Sequence, residues 1–243
     1  MKITEHIKLA YRANRYKNKN DKGGIAFILS SIKAGQTAFD IGAHKAGYLY
    51  FMRQMAGESG KVFAFEPQSS LYNYIVRIKK LFHWNNVRIE HLALSDSAGK
   101  VTLYIPSDKK GTASSPGGTI VRHSNLKYIN STEEVLTETL DSYCQRNNIK
   151  PDFLKIDVEG NELRVLKGGL AVLKKHRPKI LVECEGRHAG KENVLEIFDM
   201  LKNLGYIGSF ISGIKRIPIA EFDFERNQNP EESKTYCNNF TFE

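Results

Sequence analysis

Three carboxylates each close a short apolar run in this 243-residue chain. Asp40 ends a run that leads into a glycine, in F-D-I-G-A-H-K-A-G. Glu66 ends V-F-A-F-E-P. Asp157 ends F-L-K-I-D, and Glu159 stands two places on. A carboxylate at the end of a buried run can accept hydrogen bonds from a ligand, balance a positive charge or take a proton. A turn or helix-start acid would explain any one of them alone.

The first of these stretches limits the ligand. A dinucleotide-binding turn needs glycine two places after its first glycine, so that the backbone can approach a pyrophosphate. Here His44 holds that place. Asp40, just before the glycine, would repel a pyrophosphate and suit a ligand with positive charge near a short chain. S-adenosylmethionine carries both a sulfonium and an α-amino group. Glu66 closes the next run, where an acid can accept bonds from both ribose hydroxyls. Their order and spacing together favour that cofactor over coincidence.

Alternating elements must position these residues. Residues 37–41, 61–65, 87–94, 153–157 and 179–184 are short apolar runs and are expected as strands. Residues 24–33, 46–56, 69–82 and 191–204 have helical spacing, and Asn161 is expected to cap a helix with the stripe Leu163, Leu166, Leu170 and Leu173. Residues 100–105 alternate as a half-exposed strand, and a helix is expected within 133–146. Residues 206–211 and 236–242 are expected to pair antiparallel. The repeated strand–helix order predicts an α/β fold with a mostly parallel sheet. Ligands then sit at the carboxyl ends of the strands. Residues 106–131, rich in Ser, Gly and Lys, are expected as a functional loop.

Composition excludes other classes. Hydrophobic residues make up 41% and charged residues 26%, ordinary for a globular chain. Cys144, Cys184 and Cys237 lack metal-ligand or disulfide-framework spacing and are expected as small apolar residues in a reducing compartment. No run is long enough to span a membrane, and the N-terminus has charges where a signal peptide needs its apolar core. A cytoplasmic location is expected. The net charge is +9. Residues 1–22 hold seven bases (Lys2, Lys8, Arg12, Arg15, Lys17, Lys19, Lys22) against Glu5 and Asp21. Such a segment can meet nucleic acid, an anionic membrane or a phosphorylated substrate, or simply be a solvated helix face. Ile3, Ile7 and Tyr11 form a stripe that is expected to dock on the body. The expected organisation is a basic helical extension, 1–35, and a single domain, 36–243.

FDIGAHKAG, VFAFEP, HLALSDSAGKVTLYIP, FLKIDVEGNELRVLKGG and KILVECE resemble the successive motifs of the FkbM family of S-adenosylmethionine-dependent methyltransferases, across about residues 37–204. The resemblance implies a class I methyltransferase, Rossmann-like fold: a seven-stranded, mostly parallel sheet with helices on both faces and one antiparallel strand near an edge. It also implies O-methylation of a hydroxyl on a sugar or natural product. His44 and Ala46 depart from the family's usual Asn and Gly.

On that fold, Asp40 with Gly42, Ala43 and His44 is expected at the methionine end of the cofactor. Glu66 is expected at the ribose, and Leu94, Ser95 and Asp96 at the adenine. Asp157 or Glu159 is expected to orient or deprotonate the acceptor, and Asp157 alternatively to contact the cofactor amine. His188, beside Glu185 and Arg187, is a second candidate base. Glu183, inside an apolar strand, is expected to have a partner or face the site. His91 is expected to be structural. Asp157 with Glu159 or Glu183 is a conceivable cation set, but no metal is expected. Lys109, Lys110, Arg122 and His123 of the loop are expected near a small-molecule or glycan acceptor. The rival readings are an RNA methyltransferase or RNA-binding protein using the basic N-terminus, a nicotinamide-dependent oxidoreductase, and a catalytically silent interaction protein.

Overall fold

The computed structural model describes residues 2–106, 118–122 and 129–243. The chain enters through helix α1 (Lys2–Arg15), a π-helical turn at Tyr16–Asn20 and α2 (Lys22–Ser31). Then β1 (Thr37–Ile41), α3 (Gly47–Ala56), β2 (Lys61–Phe65), α4 (Ser69–Leu81) and β3 (Val87–Glu90) alternate. Next come β4 (Ala93–Ser95), β5 (Gly99–Pro106), β6 (Ile129–Thr139) and α5 (Leu140–Asn147). The chain continues with β7 (Phe153–Ile156), α6 (Glu162–Lys167), α7 (Leu170–His176), β8 (Lys179–Glu183), α8 (Gly186–Ala189) and α9 (Lys191–Asn203). It closes with β9 (Gly208–Ser212), β10 (Lys215–Pro218), α10 (Phe224–Asn227) and β11 (Asn239–Phe242).

The main sheet runs β10-β9-β11-β8-β7-β1-β2-β3. From β8 to β3 every pairing is parallel, while β11 is antiparallel to both its neighbours and β10 to β9. The fold is the α/β arrangement expected, with eight strands instead of seven; β10 is the addition. The apolar runs became strands because both faces are buried, which removes the polar alternation of a half-exposed strand.

Those two faces sort the side chains. Phe39, Ile41, Phe63, Phe65, Leu154, Ile156, Ile180 and Val182 pack towards α5, α6, α7 and α9. Ala38, Val62, Ala64, Phe153 and Leu181 pack towards α2, α3 and α4. Side chains alternate along a strand. Asp40, Lys155 and Glu183 therefore share the second face, and Asp40 and Lys155 are direct cross-strand neighbours.

Several expectations change. The 87–94 run is two strands. Glu90 pairs with Phe65, the last residue of β2, so the main sheet offers nothing further. The chain then turns, and β4 pairs with β6 in a second sheet ordered β4-β6-β5. Residues 129–139 are a strand and the helix begins only at Leu140; pairing along β5 overrides the helix-like composition of 133–139. The helix expected after Asn161 is broken at Gly168 and Gly169. Gly168 packs so closely on β4 that a Cβ would meet the Ser95 carbonyl oxygen at 2.1 Å. Asn161 stands at the helix start but makes no side-chain cap; its Nδ2 donates to the Leu94 carbonyl at 3.1 Å instead. In α1, Leu9 and Ala13 are buried against the body, while Ile7 and Tyr11 face outward. No helix of the described residues is long and apolar enough to cross a membrane. Lys109, Lys110 and His123 lie outside the described residues.

Candidate active site

A cavity of about 390 Å³ opens at the carboxyl ends of β1, β2, β7 and β8. Gly42, at the end of β1, makes it geometrically feasible. Its φ is +84°, and a Cβ there would sit 1.8 Å from the Asp157 carbonyl oxygen. The two strand ends can approach only where no side chain stands between them. Ala43 and His44 follow along the cavity wall. His44 has φ 48° and Ala46 φ 63°, left-handed conformations that suit Asn or Gly better than either residue.

Glu66 closes β2 and is almost wholly buried. Its Oε2 accepts from the His44 amide at 2.7 Å and its Oε1 from the Gln68 amide at 2.9 Å. Burial outweighs these bonds and pushes the carboxyl up to about 7. Each oxygen keeps acceptor capacity towards the cavity it lines. Burial likewise pushes the nearby His44 imidazole down to about 4.

Lys155 lies at the floor and was not singled out from the sequence. It is 2% exposed. Its Nζ donates to the Gly42 carbonyl at 3.0 Å and lies 3.2 Å from Asp157 Oδ2, 3.5 Å from Asp40 Oδ1 and 4.9 Å from the centre of the Tyr48 ring. Burial alone would lower its pKa, but Asp157, Asp40 and Glu183 outweigh it and hold the ammonium above its ordinary value. The signal was there: a lysine inside an apolar strand, two residues before Asp157 and so on the same face.

Asp40 does not line the cavity. It lies beneath it, fully buried, with Lys155 as its counter-ion and neither oxygen in a well-formed side-chain hydrogen bond. Burial pushes it up to about 6, although Lys155 pulls the other way. Asp157 and Glu159 both line the cavity. The turn between them and α6 is held by Glu162, whose Oε1 accepts from the amides of Val158 and Gly160, each at 3.0 Å. Burial pushes the Glu162 carboxyl up to about 7. Glu159 has φ 54°, and its carbonyl accepts from Thr119 Oγ1 at 2.7 Å. Its Oε2 lies 3.1 Å from His188 Nδ1. Burial raises the Glu159 pKa, and Glu159 in turn raises that of His188 against the opposing effect of burial. His188 therefore stands behind Glu159 and does not itself line the cavity.

Glu183 and Glu185 reach the rim beside Asn238, which donates to Glu183 Oε1 at 2.7 Å and to Glu185 Oε1 at 3.2 Å. Burial raises Glu183, with Asp157 adding to it. Burial works the same way on Glu185, but Arg187 and the Tyr236 hydroxyl outweigh it and hold that carboxyl low. Leu94 lines the cavity with Leu92, Ala93, Leu103 and Ile120. Ser95 and Asp96 do not. Ser95 is buried, and Asp96 turns outward to Arg164 at 3.9 Å. Arg122 stands over the Tyr104 ring at 6.0 Å. His91 stacks on Tyr72 with centroids 4.5 Å apart. No group of three or more His, Cys, Asp or Glu among the described residues is arranged to hold a metal ion. All three cysteines are free and buried.

One wall had no sequence signal. Tyr16, Asn20 and Asp21, from the segment ahead of α2, line the cavity. Tyr16 packs against Gly47, where a Cβ would be 2.8 Å from its ring, and edge-on to Tyr48 at 5.1 Å. Asp21 Oδ2 accepts from the Tyr48 hydroxyl at 2.6 Å and Oδ1 from the Gly24 amide at 2.8 Å.

Comparison with known proteins gives one consistent answer. Residues 40–207 match the model of the methyltransferase FkbM domain. No curated protein matches the chain. Among solved structures, the methyltransferase FkbM from Methylobacillus flagellatus superposes with a TM-score of 0.56 at 11% identity, over 96% of this chain and 53% of that one. This chain thus spans about half the length of that relative. The O-methyltransferase from Bacillus cereus in complex with SAH gives 0.51 at 12% identity, over 91% and 80%. Fibrillarin from Aeropyrum pernix with bound S-adenosyl-L-methionine gives 0.50 at 8% identity, over 87% and 67%. At such identities the likeness is one of fold.

Proposed function

The chain belongs to the FkbM methyltransferase family, and on that footing we propose that it transfers a methyl group from S-adenosylmethionine to a hydroxyl of a sugar or natural-product acceptor. The observation that carries the reading is Glu66: a buried carboxylate at a strand end, held by two backbone amides, with acceptor capacity left towards the cavity. That is what a ribose with two hydroxyl donors requires. The remaining residues fit the same ligand. Leu92, Leu94 and Leu103 offer an apolar slot for a purine. Gly42, Ala43 and Asp157 line the same cavity and are assigned to the methionine portion. Asp40 contributes from beneath, through Lys155.

When bound, the cofactor supplies a methyl already activated by its sulfonium. The protein's part is to align the acceptor oxygen, exclude water and receive a proton. Asp157 and Glu159, which line the cavity, are assigned this part. Asp157, held by Lys155, orients the acceptor hydroxyl or the cofactor amine. Glu159, whose pKa burial raises and whose Oε2 lies 3.1 Å from His188 Nδ1, accepts the hydroxyl proton. The rim of Tyr16, Asn20, Asp21, Glu183 and Asn238 offers an aromatic face and many hydrogen-bonding groups, which suits a polyhydroxyl acceptor.

Calorimetric titration with S-adenosylhomocysteine tests the cofactor. Micromolar binding that Glu66→Ala abolishes, with NAD silent, is the expected outcome. A folded protein that ignores the adenosyl ligand overturns the reading.

A further inference from the structure

We propose that α1 is a docking element that seats on an anionic lipid surface. Its two faces differ in kind. On one, Leu9 and Ala13 are buried, and Arg12 donates to the Lys45 carbonyl at 2.7 Å and to the Tyr74 hydroxyl at 3.0 Å. The helix is thus already fixed to the body. On the other face Ile7 is 62% exposed and Tyr11 66%. Four residues apart, they stand one above the other along a single ridge. Lys8 and Arg15 lie exposed on the flank of this ridge, and Lys17 and Lys19 continue the exposed basic surface in the next turn.

An aliphatic and aromatic ridge beside Lys and Arg is the pattern of a helix lying in the plane of a bilayer interface. Tyrosine favours the headgroup level, where its ring is covered and its hydroxyl stays wet. Each basic residue near an anionic leaflet strengthens binding by about fivefold. Nucleic acid would meet the same charges, but sequence-tolerant binding of single strands needs successive aromatic platforms for the bases. Among the described residues this face offers Tyr11 alone. A second copy of the chain would bring like charges together. Charge and ridge therefore select the lipid surface. The helix continues directly into the turn whose Tyr16 and Asn20 wall the cavity, so docking and acceptor entry share one element.

Vesicle flotation tests this directly. The wild-type chain is expected to float with phosphatidylcholine–phosphatidylglycerol vesicles, to stay behind with pure phosphatidylcholine, and to be released by salt. Ile7→Glu with Tyr11→Glu should cut the floated fraction roughly tenfold or more. Lys17→Glu with Lys19→Glu should cut it by at least about fivefold. All variants should melt as the wild type does, because none of these side chains is buried. Three outcomes overturn the proposal: no flotation of the folded wild type at low salt, flotation unchanged in the Ile7/Tyr11 variant, or tighter binding to a mixed-sequence single-stranded RNA oligonucleotide than to the anionic vesicles.

Discussion

Replacing Lys155 by Met removes the one cation that, among the described residues, pairs with both Asp40 and Asp157. The ammonium is 2% exposed and within 3.5 Å of both aspartates, so solvent cannot stand in for it. Breaking a buried pair by deleting one partner costs about 3–5 kcal/mol, because a carboxylate is left behind without compensation. For a chain of this size that corresponds to a melting temperature lower by roughly 6–20 °C. The pH dependence identifies the cause. Asp40 is already raised to about 6 with Lys155 present, and without it rises further. A carboxyl raised in the folded state favours folding when protonated and loses that contribution as pH rises through its folded pKa. The deficit of Lys155→Met should therefore be largest near pH 8 and shrink as pH falls towards 5. Thermal unfolding followed by circular dichroism across that range measures it. A deficit that stays constant or grows on acidification would mean that the loss comes from packing of the lysine stem, and would refute the electrostatic account.

Three shorter predictions concern the site. Glu66→Gln should weaken S-adenosylhomocysteine binding by roughly 10–100-fold, the range for hydrogen bonds to a charged acceptor. Ribose hydroxyls favour the ionised carboxylate and burial pushes Glu66 up to about 7, so wild-type affinity should rise as pH increases to about 7 and then level off, a slope that calorimetry should find absent from Glu66→Gln. Gly42→Ala forces an L side chain to φ +84° and drives a methyl into the Asp157 carbonyl at 1.8 Å; differential scanning fluorimetry should show a fall of about 5–15 °C, and an unchanged melting point would place the strand ends further apart than described. Asp157→Asn should lower turnover of an accepted substrate by roughly 100-fold while the protein stays folded, and near-wild-type turnover would remove Asp157 from the chemistry.

The sheet was legible because strands buried on both faces are short and uniformly apolar, as in the TAFDI, KVFAF and KILVE runs. Their ends then pointed to Glu66, Asp157 and Glu159, all of which line the cavity. The reading was less complete where a side chain's direction is set by a distant partner. Asp40 precedes the glycine, a place that suggests a ligand contact, but its side chain is fully buried against Lys155, which stands between it and the cavity. Ser95 and Asp96 follow Leu94 directly in the sequence, but Ser95 is buried under the close packing of Gly168, and Asp96 faces outward beside Arg164. Tyr16 and Asp21 reach the cavity only because Gly47 leaves room for a ring and Tyr48 offers a hydroxyl. No local pattern records that. The strand at 129–139 was hidden because residues 133–139 favour a helix until β5 lies alongside.

A buried ionic pair is weak evidence for stability, since well-packed apolar residues of similar volume often replace one without loss or with a gain of about 1–4 kcal/mol. Asp40 and Lys155 sit among Ala38, Ala64, Phe153 and Leu181, a layer that Leu and Met could extend. The double variant Asp40→Leu/Lys155→Met should therefore recover most of the stability that Lys155→Met loses, because the most deeply buried carboxylate leaves with its counter-ion. Asp157 remains, but its side chain is 26% exposed and can be hydrated. If the pair exists to hold Asp157 and the Gly42 carbonyl in place, this restored fold should still turn over slowly, and its S-adenosylhomocysteine affinity should stay below that of the wild type. Recovery of both stability and turnover in the double variant would reduce Asp40 and Lys155 to packing and leave Asp157 to act without them. Recovery of stability alone would separate what the pair does for the site from what it does for the fold.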